Sequence, residues 1–165
     1  MSTPTLLGKR AVWCAFQIAL LLVGLCALTA QRMPAQTAPR DPEIPAKQLI
    51  TPEELNHLLQ SQKPLMLHVG FRSMYQQAHI PGSEYIGATS SPEGLNALRT
   101  RVKSLPKDAL IVIYCGCCPW ERCPNMHPAF KELRNLGYTN VRVLYIAHNF
   151  GADWVDKGYP TQKGE

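Results

Sequence analysis

Four cysteines lie within nine positions of the stretch YCGCCPWERCPN, which covers residues 114–125. They are Cys115, Cys117, Cys118 and Cys123. A cysteine side chain can act as a nucleophile, a metal ligand or one half of a disulfide, so the cluster predicts one of three chemistries. The choice among them depends on the elements that position the cluster.

A metal site would draw on five side chains, since thiolates and imidazole bind Zn²⁺ and Cu(I). The candidate ligands are Cys115, Cys117, Cys118, Cys123 and His127. They are crowded into one loop, and no second group of ligands completes a common zinc framework. The metal site is therefore an alternative, and we expect no cofactor. A disulfide from Cys123 to Cys117 or Cys118 could instead clamp the loop and leave Cys115 free.

The cysteines directly follow ALIVIY, a continuous apolar run that is typical of a strand buried on both faces. Further strands are predicted at residues 65–71, 84–86 and 141–146, and helices at residues 52–60, 92–105, 128–136 and 153–157. Thr51-Pro52-Glu53-Glu54 is typical of a capping box at the start of the first helix. Strands that alternate with helices predict an α/β fold, with a parallel sheet that is covered by helices on both faces. Ligands of such folds bind at the carboxyl ends of the strands, which is where the cysteine cluster begins.

Five pieces of the sequence, in order along residues 49–160, resemble the rhodanese-like domain. They are LITPEEL, PLMLHVGFRSMYQQAHIPGSEYI, IVIYC, LRNLGYTNVRVL and FGADWVDKGYP. The resemblance implies a central parallel sheet of about five strands with helices on both faces. Two departures stand out. His68-Val69-Gly70 replaces the family's usual Asp-Val-Arg, which removes a common ion pair, and the loop that starts at Cys115 is longer than a typical active loop.

The resemblance implies a sulfurtransferase, or a thiol-redox protein, that holds sulfur as a cysteine persulfide. Its partner would be a small sulfur-containing substrate or a thiol acceptor. Strand position favours Cys115 as the nucleophile, whereas the family's Cys-x4-Arg spacing to Arg122 favours Cys117, and both stay open. The charge of Arg122 would assist the thiolate. Cys118 and Cys123 are interpreted as resolving thiols, which attack a persulfide and form a disulfide.

Other function classes fit less well. A phosphatase on this fold needs Cys-x5-Arg, and counting back from Arg122 reaches Gly116. The formal net charge of +5 is scattered without a basic stripe, which argues against nucleic-acid binding. A non-enzymatic Zn²⁺, Cu(I) or sulfur carrier that uses the same cysteines is the alternative, and an inactive scaffold that binds a partner is a third hypothesis. We expect a monomer.

Residues 1–30 are predicted to be an export signal or an N-terminal membrane anchor. Lys9 and Arg10 precede residues 11–31, an uncharged apolar segment that could span a bilayer as a helix. Basic residues before such a segment place the following domain in the periplasm or another extracytoplasmic space. Residues 11–31 are then either cleaved or kept as an anchor, and they are the only membrane contact that we expect.

The rest of the chain is predicted to be one domain on a linker. Residues 31–47 contain four prolines, a density that is typical of an extended, semi-rigid tether. The rhodanese-like domain is predicted to cover residues 48–163.

Overall fold

The computed structural model describes residues 43–164. The predicted export segment and most of the predicted linker lie outside these residues, so both stay predictions. Within residues 43–164, no helix is long and apolar enough to cross a bilayer. Ile44 is fully buried, so the chain joins the core before residue 48, where the domain was predicted to start.

A sheet of five parallel strands lies at the centre of the described residues, in the spatial order β1-β5-β4-β2-β3. The strands are β1 Leu49–Ile50, β2 Leu65–His68, β3 Glu84–Tyr85, β4 Ile111–Tyr114 and β5 Val141–Leu144. In the register of the central strands, His68 lies opposite Tyr114, and Ile113 lies opposite Val143. The predicted parallel sheet is therefore confirmed, with the strand that precedes the cysteines at its middle.

Helices connect the strands. They are α1 Pro52–Ser61, α2 Arg72–Gln77, α3 Pro92–Val102 and α4 Met126–Asn135. Shorter helical turns cover Ala46–Gln48, Trp120–Arg122 and Gly151–Val155. The start of α1 shows the predicted capping box: Thr51 Oγ1 accepts the Glu54 N–H at 3.2 Å, and the Thr51 N–H donates to Glu54 Oε2 at 2.8 Å.

Two apolar cores lie on opposite faces of the sheet. Ile113 lies in one core with Leu98 of α3 and Leu133 of α4. The next residue, Tyr114, points the other way and lies in the second core with Leu55 of α1. Helices therefore cover both faces, as the alternating pattern predicts. Both faces of β4 are closed to water, so this strand can offer a side chain to a ligand only at its end.

Some element boundaries differ from the prediction. β1 was not predicted, because its two residues are too few to show a periodic pattern, and pairing with β5 defines it. α4 begins at Met126 rather than at Pro128, since a proline fits the first helical turn, where the N–H groups have no partner within the helix. The last helix, predicted at residues 153–157, is a π-helical turn at Gly151–Val155.

The capping box gives a prediction about stability. Thr51→Ala removes the acceptor of the Glu54 N–H, and we expect it to lower the free energy of unfolding by about 1 kcal/mol. Thr51→Ser keeps a hydroxyl acceptor and is the matched control. Urea unfolding followed by tryptophan fluorescence measures both variants. Equal stabilities of the alanine and serine variants would contradict the assigned cap.

Candidate active site

The cysteine loop starts at the carboxyl end of the central strand. Cys115 follows Tyr114 directly and is only 2% exposed. The residue after the neighbouring strand β2 stays paired with the end of β4, because the Val69 N–H donates to the Tyr114 carbonyl at 2.9 Å. The end of β2 therefore forms one wall of the site, and the loop itself forms the other.

Gly116 turns the chain away from the strand. Its φ of +82° lies in the left-handed region, and a side chain here would begin 2.7 Å from Cβ of Phe150. The Gly116 carbonyl accepts the Phe150 N–H at 3.1 Å. Further along, the Trp120 N–H donates to the Ala147 carbonyl at 3.4 Å. The segment after β5 therefore holds the cysteine loop by two backbone hydrogen bonds.

Three of the four thiols form one group. The Sγ atoms of Cys115, Cys117 and Cys123 all lie within 4.8 Å of one another, and the distance from Cys115 to Cys117 is 3.1 Å. Cys118 lies outside this group, although its Sγ is 3.2 Å from that of Cys117. All four are free thiols, so the clamping disulfide is absent from the described loop.

Asn125 connects the thiol group to the loop before α3. It is fully buried, and its Nδ2 donates to Cys115 Sγ at 3.4 Å. Its Oδ1 accepts the Ser90 N–H at 3.0 Å, and its backbone carbonyl accepts the Thr89 hydroxyl at 2.6 Å. Because these contacts fix both ends of the residue, the amide is held against the Cys115 sulfur. Sequence reasoning missed Asn125, whose partners are 35 and 36 positions away.

Gly70 and His68 form the wall on the β2 side. A Cβ atom on Gly70 would lie 2.8 Å from Cys115 Sγ and 3.0 Å from His68 Cε1, so a residue with a side chain would collide with the thiol. His68 is 1% exposed and packs among the rings of Tyr75, Tyr85 and Tyr114. Its Nδ1 accepts the Gly70 N–H at 3.4 Å. In place of the family's Asp-Val-Arg, this chain therefore has the buried imidazole of His68 and, at Gly70, room for the Cys115 sulfur.

Burial sets the charge of His68. Loss of hydration lowers its pKa from 6.5 to about 4, although a hydrogen bond with the backbone of Cys115 opposes the change. The ring is therefore neutral at neutral pH and adds no positive charge beside the thiols.

The three thiols share their protons unequally. Hydrogen bonds with Cys115 and Cys117 lower the pKa of Cys123, and backbone N–H groups at the start of α4 lower it further. Hydrogen bonds with Cys115 and Cys123 raise the pKa of Cys117. The hydrogen bond with Cys117 lowers the pKa of Cys115, but the hydrogen bond with Cys123 and burial outweigh it, so the pKa ends above its ordinary value. Within the group, negative charge is therefore favoured at Cys123 and disfavoured at Cys115 and Cys117.

A cavity of about 250 Å³ opens beside Cys115. Its wall is formed by His68, Met74, Gln77, Ala78, Cys115, Gly116, Phe150, Gly151, Val155 and Lys163. Lys163 reaches this wall because the end of the chain pairs with the segment after α2, where the Gln162 N–H donates to the His79 carbonyl at 2.9 Å. Lys163 was not predicted as a site residue. Arg122 was predicted as a site residue, but it is exposed and lies outside the cavity wall. Burial raises the pKa of Cys118, and the charge of Arg122 opposes this only in part.

The predicted metal ligands are brought together only in part. Cys115, Cys117 and Cys123 lie close enough to bind one ion, whereas Cys118 and His127 are not in that group. The ring of His127 instead lies 6.1 Å from that of Trp120. Three thiolates form a ligand set for Cu(I), or for Zn²⁺ with a fourth ligand.

The buried histidine predicts how stability depends on pH. Because the pKa of His68 is about 4 in the folded state and 6.5 when solvated, the unfolded state takes up the proton first as the pH falls. The free energy of unfolding contributed by His68 is fully present above pH 6.5, and we expect a loss of about 3 kcal/mol by pH 4. Urea unfolding across this range should show a smaller loss for His68→Gln. Identical pH dependence in both proteins would contradict the assignment.

Comparisons with known proteins agree with this geometry. The sequence model described as the rhodanese-like domain matches residues 51–145. A search of curated proteins finds no match. Among solved structures, the Alr3790 protein from Anabaena sp. is 24% identical with a TM-score of 0.54, and the alignment covers 70% of this chain and 92% of that one. This likeness shows the fold.

A second similar structure is EanB. Its complex with hercynine is 29% identical to this chain with a TM-score of 0.50, and the alignment covers 70% of this chain but 27% of EanB. Another EanB structure contains a cysteine persulfide in a tetrahedral intermediate state with ergothioneine, at 27% identity and a TM-score of 0.50. Since the family model covers more than half of the sequence, the chain belongs to the rhodanese-like domain family.

Proposed function

We propose that this protein is a sulfurtransferase that carries sulfur as a persulfide on Cys115. The observation that carries the proposal is the position of the Cys115 thiol at the end of β4. The thiol lies on the wall of a cavity of about 250 Å³ and accepts a hydrogen bond from the Asn125 amide. The choice of Cys115 over Cys117 rests on this cavity, since Cys117 is not among the residues that line it.

The transfer of sulfur from the donor to Cys115 is a displacement at sulfur. Cys115 attacks the outer sulfur of a donor such as thiosulfate, and the proton of its thiol leaves with the departing sulfite. A bond forms between Cys115 Sγ and the transferred sulfur, the sulfur–sulfur bond of the donor breaks, and sulfite leaves with the electron pair. The Cys115 persulfide remains, and the Asn125 N–H is placed to stabilise it.

An external thiol completes the transfer by attacking the outer sulfur of the persulfide and returning Cys115 as a thiol. The persulfide in the EanB structure supports this chemistry on the fold, because it shows a cysteine of a similar protein in that state.

Lys163 favours an anionic donor. Of the described residues that line the cavity, it is the only lysine or arginine, and His68 beside it is neutral at neutral pH. An anion in the cavity would gain from this charge, and a neutral donor would not.

The assignment of the nucleophile is tested with thiosulfate as donor. We expect Cys115→Ser to reduce sulfur transfer to the level of the uncatalysed reaction, because the hydroxyl cannot hold a sulfane sulfur. Cys118→Ser, which removes a loop thiol outside both the thiol group and the cavity wall, is the matched control and should keep full activity. Release of sulfite and formation of thiocyanate with cyanide measure the two halves of the reaction. Full activity of Cys115→Ser would refute the proposal.

A separate prediction concerns Lys163. We expect Lys163→Gln to raise KM for thiosulfate by about five-fold at low salt, with less effect at high salt, since the charge is exposed and screened. Lys157→Gln removes an exposed lysine that does not line the cavity and should leave KM unchanged. Steady-state kinetics at two ionic strengths makes the comparison. If Lys163→Gln had the same KM for thiosulfate as Lys157→Gln, Lys163 would have no role in binding the donor.

A metal or sulfur carrier is the second candidate function. It is favoured by the three thiols of Cys115, Cys117 and Cys123, which lie within 4.8 Å of one another. Thiolates at these positions would bind Cu(I) or Zn²⁺. Metal that copurifies in stoichiometric amount, and that protects all three thiols from alkylation, would favour this candidate over sulfur transfer.

We also propose that the protein works outside the cytoplasm. The support is the sequence alone, namely Lys9 and Arg10 before the uncharged residues 11–31. A fusion of alkaline phosphatase to the end of the chain should be active only if the domain is exported. An inactive but intact fusion protein would place the domain in the cytoplasm.

A further inference from the structure

We propose that Cys117 resolves the Cys115 persulfide within the loop, so that the protein releases the transferred sulfur as sulfide and forms a Cys115–Cys117 disulfide. This inference rests on the proposed persulfide at Cys115. It assigns the protein a further activity, the reduction of sulfane sulfur to sulfide with the loop's own thiols as the reductant. An external sulfur acceptor is then unnecessary for one turnover.

Geometry singles out Cys117 as the attacking thiol. Its Sγ lies 3.1 Å from Cys115 Sγ, and about 1 Å of approach would bring the two atoms to the length of a disulfide bond. Gly116 makes this proximity possible, since its left-handed conformation turns the chain back between the two cysteines. Cys117 is also more exposed than Cys115, so it borders the loop surface while Cys115 borders the cavity.

The other two thiols occupy different places. Cys118 Sγ contacts Cys117 Sγ at 3.2 Å and donates to the Arg122 carbonyl at 3.6 Å, but it is not in the group around Cys115. Cys123 is in that group, but its sulfur is held by the backbone N–H groups that begin α4. The sequence predicted Cys118 and Cys123 as resolving thiols, and the inference moves this role to Cys117.

The reaction balances within the loop. Cys117 attacks Cys115 Sγ, which forms the Cys115–Cys117 bond and breaks the bond from Cys115 to the outer sulfur. The outer sulfur leaves with the electron pair, takes up the proton that Cys117 loses and is released as HS⁻. Two cysteines are thereby oxidised, and one sulfane sulfur is reduced to sulfide. A dithiol reductase or a small dithiol must then reduce the disulfide, so a thiol–disulfide exchange reaction follows each cycle.

A single-turnover experiment tests the inference. Reduced full-length protein, freed of small thiols, receives one equivalent of thiosulfate, and both sulfite and sulfide are measured. We expect the wild-type protein to release about one equivalent of each and to gain a Cys115–Cys117 disulfide by peptide mapping. Cys117→Ser should still release sulfite, but it should keep the sulfur on Cys115 as a persulfide that cyanide removes as thiocyanate.

Matched variants separate the outcomes. Cys118→Ser removes a thiol of the same loop that lies outside the group around Cys115, and it should behave as the wild-type protein does. Sulfide release by Cys117→Ser at the wild-type level would overturn the inference, as would a disulfide that maps to Cys118 or Cys123. In either case, release of sulfite would still support the proposal that Cys115 forms a persulfide. The absence of sulfite from every variant would overturn both proposals together.

Discussion

The contact among three thiols, two of them buried and that of Cys117 half-buried, is the interaction on which the rest of the site depends. Thiolates packed this closely repel one another, so the group of Cys115, Cys117 and Cys123 holds one negative charge and two protons. The charge settles on Cys123, where two S–H donors and the backbone at the start of α4 meet it. Cys115 therefore reacts as a member of a hydrogen-bonded group of thiols, and His68 beside it is neutral at neutral pH.

The fold maintains this contact through positions that carry no reactive group. β4 is buried on both faces, so Cys115 is the first residue of the strand's end that can meet a ligand. Gly70 leaves space for its sulfur, Gly116 turns the loop towards Cys117, and Asn125 holds its amide against Cys115. Enlarging or removing any of these three residues would disturb the thiol group, although none of them needs to react.

The sequence predicted the framework because its signals are local. The apolar run before Cys115, the capping box at Thr51 and the ordered motifs placed the α/β fold and the position of the cysteine loop correctly. Asn125 and Lys163 were missed because each reaches the site through long-range contacts: Asn125 through Ser90, and Lys163 through pairing of the chain end with His79. A count of residues in one loop also could not tell that Cys118 contacts only one edge of the thiol group, at Cys117, or that Arg122 lies outside the cavity wall.

The most direct test is the intact mass of the purified protein, measured before and after reductant. The Cys117→Ser variant is used, because it should preserve the persulfide on Cys115. Metal content is measured on the same sample. After treatment with thiosulfate, we predict a gain of one sulfur atom that reductant removes and that peptide mapping places on Cys115. Sulfur on another cysteine would contradict the assigned nucleophile. Stoichiometric copper or zinc, with the thiols of Cys115 and Cys123 protected and no gain of sulfur, would contradict the account as a whole and indicate a metal carrier.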